Sequence, residues 1–269
     1  MQSNSCNSSL SADAILRHLG PLAGEFGLQV RAECASTNSE LMDAPPADDG
    51  RVHVVVAERQ TAGRGRRGRQ WQSWSGGSLT FSSLWRFAPG APVPAGLSLV
   101  AGLAVVRALE KLGVQGLQLK WPNDVLVNGS KLAGILVELQ PGRGRTPAAV
   151  VGIGINLRLP DDAYIPDQPA VTDLARQLDL VPAPEALLAS VLTELHILFD
   201  TYAAAGFAAL RGAWQQRNAF ADLPVRISGE GTDVVGICTG VDEDGALLVR
   251  TEQGLERILS GEVSLRAAQ

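Results

Sequence analysis

The 269-residue chain is 45% hydrophobic and 19% charged, with a net charge of −5 and a pI near 5.3. That balance suits a soluble globular protein of one large domain, or one domain with a smaller companion, and argues against broad nucleic-acid binding, which requires an extended basic surface. No apolar run approaches the ~20 residues of a membrane helix, the start MQSNSCNSSLSAD lacks the basic flank and apolar run of a secretory signal, and three dispersed cysteines (Cys6, Cys34, Cys238) read as free thiols of a reducing cytoplasmic compartment.

Residues 1–10 are polar and serine-rich and read as a disordered tail. ADAILRHLG has helical apolar spacing and closes on Gly20. LQVRAE reads as a strand, STNSELM as a short helix opened by the N-cap formers Ser36, Thr37 and Asn38, and APPADDG as a loop. VHVVVAE is a valine-rich buried strand. Directly after it Arg59, Arg64, Arg66, Arg67 and Arg69 crowd into a segment spaced by Gly63, Gly65 and Gly68, with no acid among them. Such like charges repel unless something negative offsets them. A glycine-rich turn after a strand aims backbone N–H groups at an anion, and arginines add bidentate contacts, so one reading is a small-anion site suited to phosphate. The pattern is neither a Walker loop nor a dinucleotide fingerprint. An exposed charged loop, or an arginine-glycine nucleic-acid segment, is the competing reading. Trp71 and Trp74 just beyond would cover an aromatic or apolar ligand, or simply pack.

GSLTFSSLWRF is a strand, GLSLVAGLAVVRALEKLG a largely apolar helix closed by Gly113, and LQLKW a strand stopped by Pro122. In DVLVNGSKLAGILVELQ, Asn128-Gly129 between apolar runs predicts a tight hairpin. A two-residue loop pairs Val127 with Ser130, Leu126 with Lys131, Val125 with Leu132 and Asp124 with Ala133. Asp124, Leu126, Lys131 and Ala133 then share one face, with Asp124 and Lys131 diagonal neighbours, while Val125, Val127 and Leu132 face the core. The charged pair is either a surface ion pair or a carboxylate and ammonium facing a pocket. A second GRGR, at 142–145 in PGRGRTP, reads as an exposed connection. In AAVVGIGINLRL, Val151, Ile153 and Ile155 share one face and Gly152, Gly154 and Asn156 the other. Glycine weakens a strand, so two on one face imply close approach of a ligand or of packed backbone.

PEALLASVLTELHILFDTYAAAG is an amphipathic helix with Pro184 in its first turn, and FAALRGAWQQRN a shorter helix. Beyond Asn218 come short strands with turns at Glu230-Gly231, Asp244-Gly245 and Gln253-Gly254, the pattern of a small barrel. The domain boundary is placed near residue 220. The first domain mixes strands and helices without strict βαβ alternation, an α+β arrangement.

Taken in order, GRGRRGRQW, KWPNDVLVN, KLAGILVE and GIGIN, with the closing GEVSLR, resemble the biotin–protein ligases over roughly residues 30 to 268. The resemblance implies a mixed-sheet catalytic α+β domain over 1–220 and an SH3-like β-barrel over 221–269. With about thirty residues ahead of the first matching strand, it also implies the monofunctional class without an N-terminal DNA-binding domain, and hence no DNA partner. It implies an ATP- and Mg²⁺-dependent ligase of the biotin–[acetyl-CoA-carboxylase] ligase type, which forms biotinyl-5′-AMP and passes biotin to a lysine of a biotin carboxyl carrier domain. Carried over by motif, Arg64, Arg66 and Arg69 contact the biotin carboxylate and phosphates, and Lys131 bridges carboxylate and α-phosphate. Ser36, Thr37, Asn38 and Gln60 bind the ureido end, and Gly134, Leu136, Gly152 and Gly154 bound the ring. Trp71 flanks the adenine or closes the loop. Lys120, Asn123 and Asp124 serve phosphates and metal, Asn156 lies at the nucleotide, and Asp124 accepts the proton of the incoming lysine. The metal ligands themselves are not assigned; Mg²⁺ is expected to be held mainly by the phosphates. A homodimer along a sheet edge is a further expectation, with Ala149–Leu157 as the candidate edge. A lipoate–protein ligase is the nearest alternative, and a nucleic-acid-binding protein a more distant one.

Overall fold

Two serines start two helices for the same reason. Ser11 accepts from the amide of Ala14 and Ser36 from that of Ser39, each satisfying an N–H that the first helical turn leaves unpaired. The computed structural model describes residues 10–88, 95–140, 147–163, 165, 170–229, 232–261 and 263–268. The serine-rich tail through residue 9 with Cys6, the second GRGR, and the Glu230-Gly231 turn lie outside the described residues.

Among the described residues, the chain builds a seven-stranded mixed sheet in the order β1-β2-β3-β7-β6-β5-β4. The strands are β1 Phe26–Cys34, β2 Val52–Gln60, β3 Ser78–Arg86, β4 Leu117–Lys120, β5 Asp124–Val127, β6 Ser130–Gln140 and β7 Ala148–Asn156. β1 and β2 run parallel, joined through helix α2 (Thr37–Asp43), and all other neighbours are antiparallel. Helices α1 (Ala12–Leu19), α3 (Leu97–Lys111) and α4 (Pro184–Ala205) share one buried cluster with Val54, Val56, Leu79, Phe81, Val151, Ile153 and Ile155 of the sheet. The alternate residues Val55, Leu84 and Val150 turn to the opposite face, where they pack on Leu41 of α2. Period-two alternation thus buries both faces: helices cover one, and α2 with the arginine loop covers the other. Burying each Leu or Val of α3 contributes roughly 1.5–3 kcal/mol, which explains why an almost wholly apolar helix is stable there.

The predicted strands and helices form, with two corrections. Asn128 (φ 47°) and Gly129 (φ 79°) make the tight turn, yet a bulge follows it. Leu126 pairs with Lys131 as expected, but Val125 pairs with Ala133 and Asp124 with Gly134. Leu132 and Ala133 are consecutive apolar residues that both enter the core, so the strand spends one extra residue there. Ala133 therefore leaves the Asp124/Lys131 face, and Gly134 replaces it. Second, Ala149–Leu157 is no edge: β7 lies between β3 and β6 and is buried along its whole length. The edges are β1 and β4, and the β4 edge is capped by Leu119 N–H donating to the Arg217 carbonyl and Ala219 N–H to that of Leu119.

After helix α5 (Ala208–Gln215) a five-stranded antiparallel sheet forms, in the order β11-β10-β9-β8-β12. Its strands are β8 Pro224–Gly229, β9 Thr232–Val241, β10 Leu247–Thr251, β11 Gly254–Ile258 and β12 Val263–Ala267. Its buried residues, Cys238 among them, join the same apolar cluster as the large sheet, and Trp121 donates its indole N–H to the Gly245 carbonyl (3.0 Å). The small sheet is thereby held against the mouth of the large one.

Candidate active site

The first turn of α2, the arginine loop, the β5–β6 hairpin, the glycines of β7 and strand β12 meet at one cavity of about 110 Å³. At one end the Ser36 cap sets Thr37 and Asn38 against the sheet, and all three are buried. The Thr37 amide and hydroxyl lie 2.7 and 3.1 Å from Gln60 Oε1, and the hydroxyl lies 2.7 Å from Ser82 Oγ. Ser82 donates to Asn38 Oδ1 (2.5 Å), and Asn38 Nδ2 donates to Glu138 Oε2 (2.9 Å). Gly152 is required beneath them, because a methyl there would overlap Asn38 Oδ1. Ser82 and Glu138 escaped the sequence reading. Their signal was alternation: Ser82 follows Ser78 and Thr80 on the polar face of β3, and Glu138 follows Gly134 and Leu136 at two-residue spacing on β6.

The arginine loop closes on itself through Trp71 N–H to Gly63 O (2.9 Å) and Gly65 N–H to Arg69 O (2.8 Å). Arg67 and Gly68 adopt positive φ, 59° and 67°. The cavity lining carries the loop's four guanidinium groups with Lys120 and Lys131 against a single carboxylate, Asp124, among the described residues. A cavity so strongly cationic in an acidic chain selects anions. Arg66 donates to Asn123 Oδ1 (3.3 Å) and to the carbonyls of Ser260 and Gly261, which ties the loop to the small sheet. Arg64 sits apart from this: it donates to Ser39 Oγ (3.0 Å) and pairs with Glu138. Glu138 lies seven positions beyond Lys131 on β6, roughly 20 Å of strand, so Arg64 belongs to the Asn38 end and not to the Lys131 end. Arg59 is outside the cavity, paired with Glu33 (2.9 Å) across β1 and β2.

Trp71 lies on the glycine floor, where a methyl at Gly154 would overlap its indole and one at Gly134 would touch it. The Lys131 ammonium is 5.8 Å from the ring centroid, a cation–π distance. The buried indole N–H has no partner among the described residues. Trp74 is not at the cavity; its carbonyl accepts from Gly77 and Ser78 in a turn.

At the other end Lys131 Nζ and Asp124 Oδ1 are 2.8 Å apart, both largely shielded. This decides between the two readings of the pair: it lines the cavity. Segment 170–172 fixes the Lys131 backbone, accepting its N–H at Ala170 O and donating to its carbonyl from Thr172. Asn123 is locked by exchanging backbone and side-chain bonds with Ile135. Burial pushes the Lys120 pKa down; Lys131, Arg266 and Arg69 push it the same way, and Asp124 opposes them. Asn156 is the one expected site residue that the structure keeps from the cavity lining. It is buried at the end of β7 and donates to the Thr172 carbonyl (2.9 Å), because segment 170–172 crosses over it. Val263, Ser264 and Leu265 of β12 complete the wall, a contribution invisible in the sequence because it comes from the small sheet.

Comparison with known proteins follows the same division. The sequence profile of the biotin/lipoate A/B protein ligase family matches residues 36–156, and that of the biotin protein ligase C terminal domain matches residues 224–266. The biotin–[acetyl-CoA-carboxylase] ligase of Paracoccus denitrificans is 38% identical over 240 residues, covering 86% of this chain and 98% of that protein. The bifunctional ligase/repressor BirA of Escherichia coli (strain K12) is 35% identical over 241 residues, covering 87% and 72%. The structure of the Aquifex aeolicus biotin protein ligase in complex with biotin and ATP matches with a TM-score of 0.77 at 31% identity, covering 90% of this chain and 99% of that one.

Proposed function

The chain belongs to the biotin protein ligases, and from that premise we propose how its own residues carry the two-step reaction. Biotin's carboxylate attacks the α-phosphate of ATP, the bond to pyrophosphate breaks, and biotinyl-5′-AMP forms. A lysine amine of a biotin carboxyl carrier domain then attacks the activated carbonyl, and AMP leaves with the former carboxylate oxygen. The observation that carries this reading is convergence: the buried polar end at Asn38, the glycine floor and the cationic end at Lys131 bound a single cavity. The polar end takes the ureido group, the floor takes the ring, and Lys131 meets the carboxylate where it approaches phosphate.

Two anions must come together in the first step, so the chain's task is charge stabilisation with no protein nucleophile. Arg66, Arg69 and Lys120 hold the phosphates, and Trp71 closes over the adenylate. Asp124, 2.8 Å from Lys131, accepts the proton of the incoming lysine in this reading. For Mg²⁺ the protein oxygens at this end are Asp124 and Asn123, both already engaged by Lys131 and Arg66. That set fits an ion carried mainly by the triphosphate with one or two protein oxygens, and the ion would supply further neutralisation of phosphate charge. We read 1–220 as the catalytic domain and 221–269 as an SH3-like domain whose β12 wall completes the site; the change of sheet at Pro224 supports this.

Transfer of labelled biotin to a carrier domain tests the reading. Wild type should label it, Arg66→Ala should label it at least tenfold more slowly, and lipoate should not substitute for biotin in ATP–pyrophosphate exchange. Lipoate turnover exceeding that of biotin would overturn the substrate assignment. Asp124→Asn with full transfer from preformed adenylate would remove Asp124 as the proton acceptor.

Lys120 adds a pH dependence. Its depressed pKa means that it loses its proton at lower pH than an exposed lysine, and phosphate binding uses the charged form. The KM for ATP should therefore rise as pH climbs through that depressed value. Lys120→Arg, permanently charged, should move this alkaline limb upward. Superimposable limbs in the two enzymes would exclude Lys120 from phosphate binding.

A further inference from the structure

We infer that Trp121 is a positioning residue: its indole seats the small sheet on the large one, and this seat holds the β12 wall and the Ser260–Gly261 connection at the phosphate end of the cavity. The inference rests on the ligase reading above and deepens it. Trp121 belongs to the turn between β4 and β5, and the catalytic domain fixes that turn from several sides. Asn123 exchanges backbone and side-chain bonds with Ile135, and Ser98 of α3 donates its hydroxyl to the Pro122 carbonyl (3.0 Å). The Leu119 backbone is bonded to Arg217 and Ala219. Loss of the indole bond therefore leaves this turn in place. What it frees is the partner across the bond, the turn between β9 and β10.

That partner is stiff in itself. Asp242 Oδ1 accepts from the amides of Asp244 and Ala246, both at 2.9 Å, and Arg257 pairs with Asp242 and Asp244. The Gly245 carbonyl is thus presented in one direction, and the N–H of the buried Trp121 indole meets it at 3.0 Å. Beside this bond two left-handed glycines let the backbones touch: Gly245 (φ 81°) lies on Gly96 (φ 73°) at the start of α3. A methyl on Gly245 would come within 2.9 Å of Gly96 Cα and of Leu99 Cδ1, and one on Gly96 within 3.1 Å of the Asp244 carbonyl. Backbone atoms cannot step aside, so either methyl would lift the turn from its seat.

The small sheet has a second hold near the cavity, Arg66 on the carbonyls of Ser260 and Gly261. That hold is exchangeable. Both hydrogens of Arg66 Nη2 are engaged there, and turning that nitrogen to a phosphate releases the carbonyls. The Trp121 indole has a single N–H, committed to Gly245, so its hold persists while the adenylate forms. The biotin end is built differently. Thr37 and Asn38 take their partners Gln60, Ser82, Leu136 and Glu138 from the large sheet. A loosened seat should therefore weaken nucleotide binding and spare biotin binding.

Calorimetric binding of biotin, and of a non-hydrolysable ATP analogue in the presence of biotin, tests this on wild type, Trp121→Phe and Gly245→Ala, alongside ATP–pyrophosphate exchange and thermal melting. Trp121→Phe keeps an apolar ring and removes the N–H. Gly245→Ala leaves Trp121 untouched and lies outside the cavity lining. Each should raise the analogue Kd and the KM for ATP at least fivefold, with the biotin Kd within twofold of wild type. Gly96→Ala, on the other side of the contact, takes the place of either variant that does not fold. An effect confined to Trp121→Phe would mean direct contact with the nucleotide and would overturn the proposal, as would an analogue Kd within twofold of wild type in both variants. Equal losses in biotin and analogue affinity with a lowered melting temperature would overturn it as well, leaving Trp121 a general structural anchor. Wild type without biotin-dependent exchange, but with analogue binding still weakened in both variants, would sink the ligase reading and leave the seat standing.

Discussion

Lys131→Ala is expected to slow adenylate formation by about 10²–10³-fold at saturating biotin and ATP, the usual cost of removing one group aimed at transition-state charge. Lys131 is the cation that the hairpin commits to the cavity: its backbone is clamped by Ala170 and Thr172, and its ammonium is held 2.8 Å from Asp124 and over the Trp71 ring. Removing it has two effects of the same sign. The approaching carboxylate and phosphate lose a shield, and Asp124 is left as an uncompensated carboxylate facing them. Lys131→Arg should recover little, because a planar guanidinium is larger and cannot sit as a point charge between two anions. Single-turnover adenylation with circular dichroism as a fold control measures this. A rate within tenfold of wild type would remove Lys131 from the centre of the mechanism.

Gly152→Ala should raise the KM for biotin by about two orders of magnitude, equivalent to ~2.7 kcal/mol. The backbone at 152 is ordinary strand, and alanine would suit a strand better than glycine does. The obstacle is a single atom, Asn38 Oδ1, which the added methyl would overlap. Asn38 is buried and bonded on both sides, to Ser82 and to Glu138, so it cannot yield without breaking the polar chain. Overpacking of this kind also costs about 1–3 kcal/mol of stability, so chemical denaturation should show a fall of that order. Gly154→Ala makes an informative contrast. Its methyl meets the indole of Trp71, a loop side chain that can swing aside, so biotin KM should change less than in Gly152→Ala. Equal effects at the two glycines would mean that the floor, and not Asn38, sets the affinity.

Much of this site could be read from local pattern because its chemistry is encoded locally. Asn128-Gly129 forces a tight turn, and the turn alone puts Leu126 opposite Lys131 and the ammonium near Asp124. Alternation in GIGIN puts two glycines and an asparagine on one face. The bulge was harder to see: Leu132 and Ala133 are both apolar, and only the need to bury both in the core shows that the register slips there. Likewise the residues of β7 are compatible with an edge, and its central place follows only from its neighbours and its burial on both faces.

By itself the sequence determined the elements, the cationic loop and the hairpin that carries Lys131, since capping, turn chemistry and period-two alternation act between residues a few positions apart. Beyond the Asp124–Lys131 pair of the hairpin, tertiary structure alone decided which charges face each other. It turned Arg64 to Glu138, tied Arg66 to Ser260 and Gly261, withdrew Asn156 beneath segment 170–172, and brought β12 to the wall. Those pairings join residues up to 195 positions apart in the chain. Electrostatic attraction and hydrogen bonding depend on distance in space, and no pattern of neighbours along the chain records it.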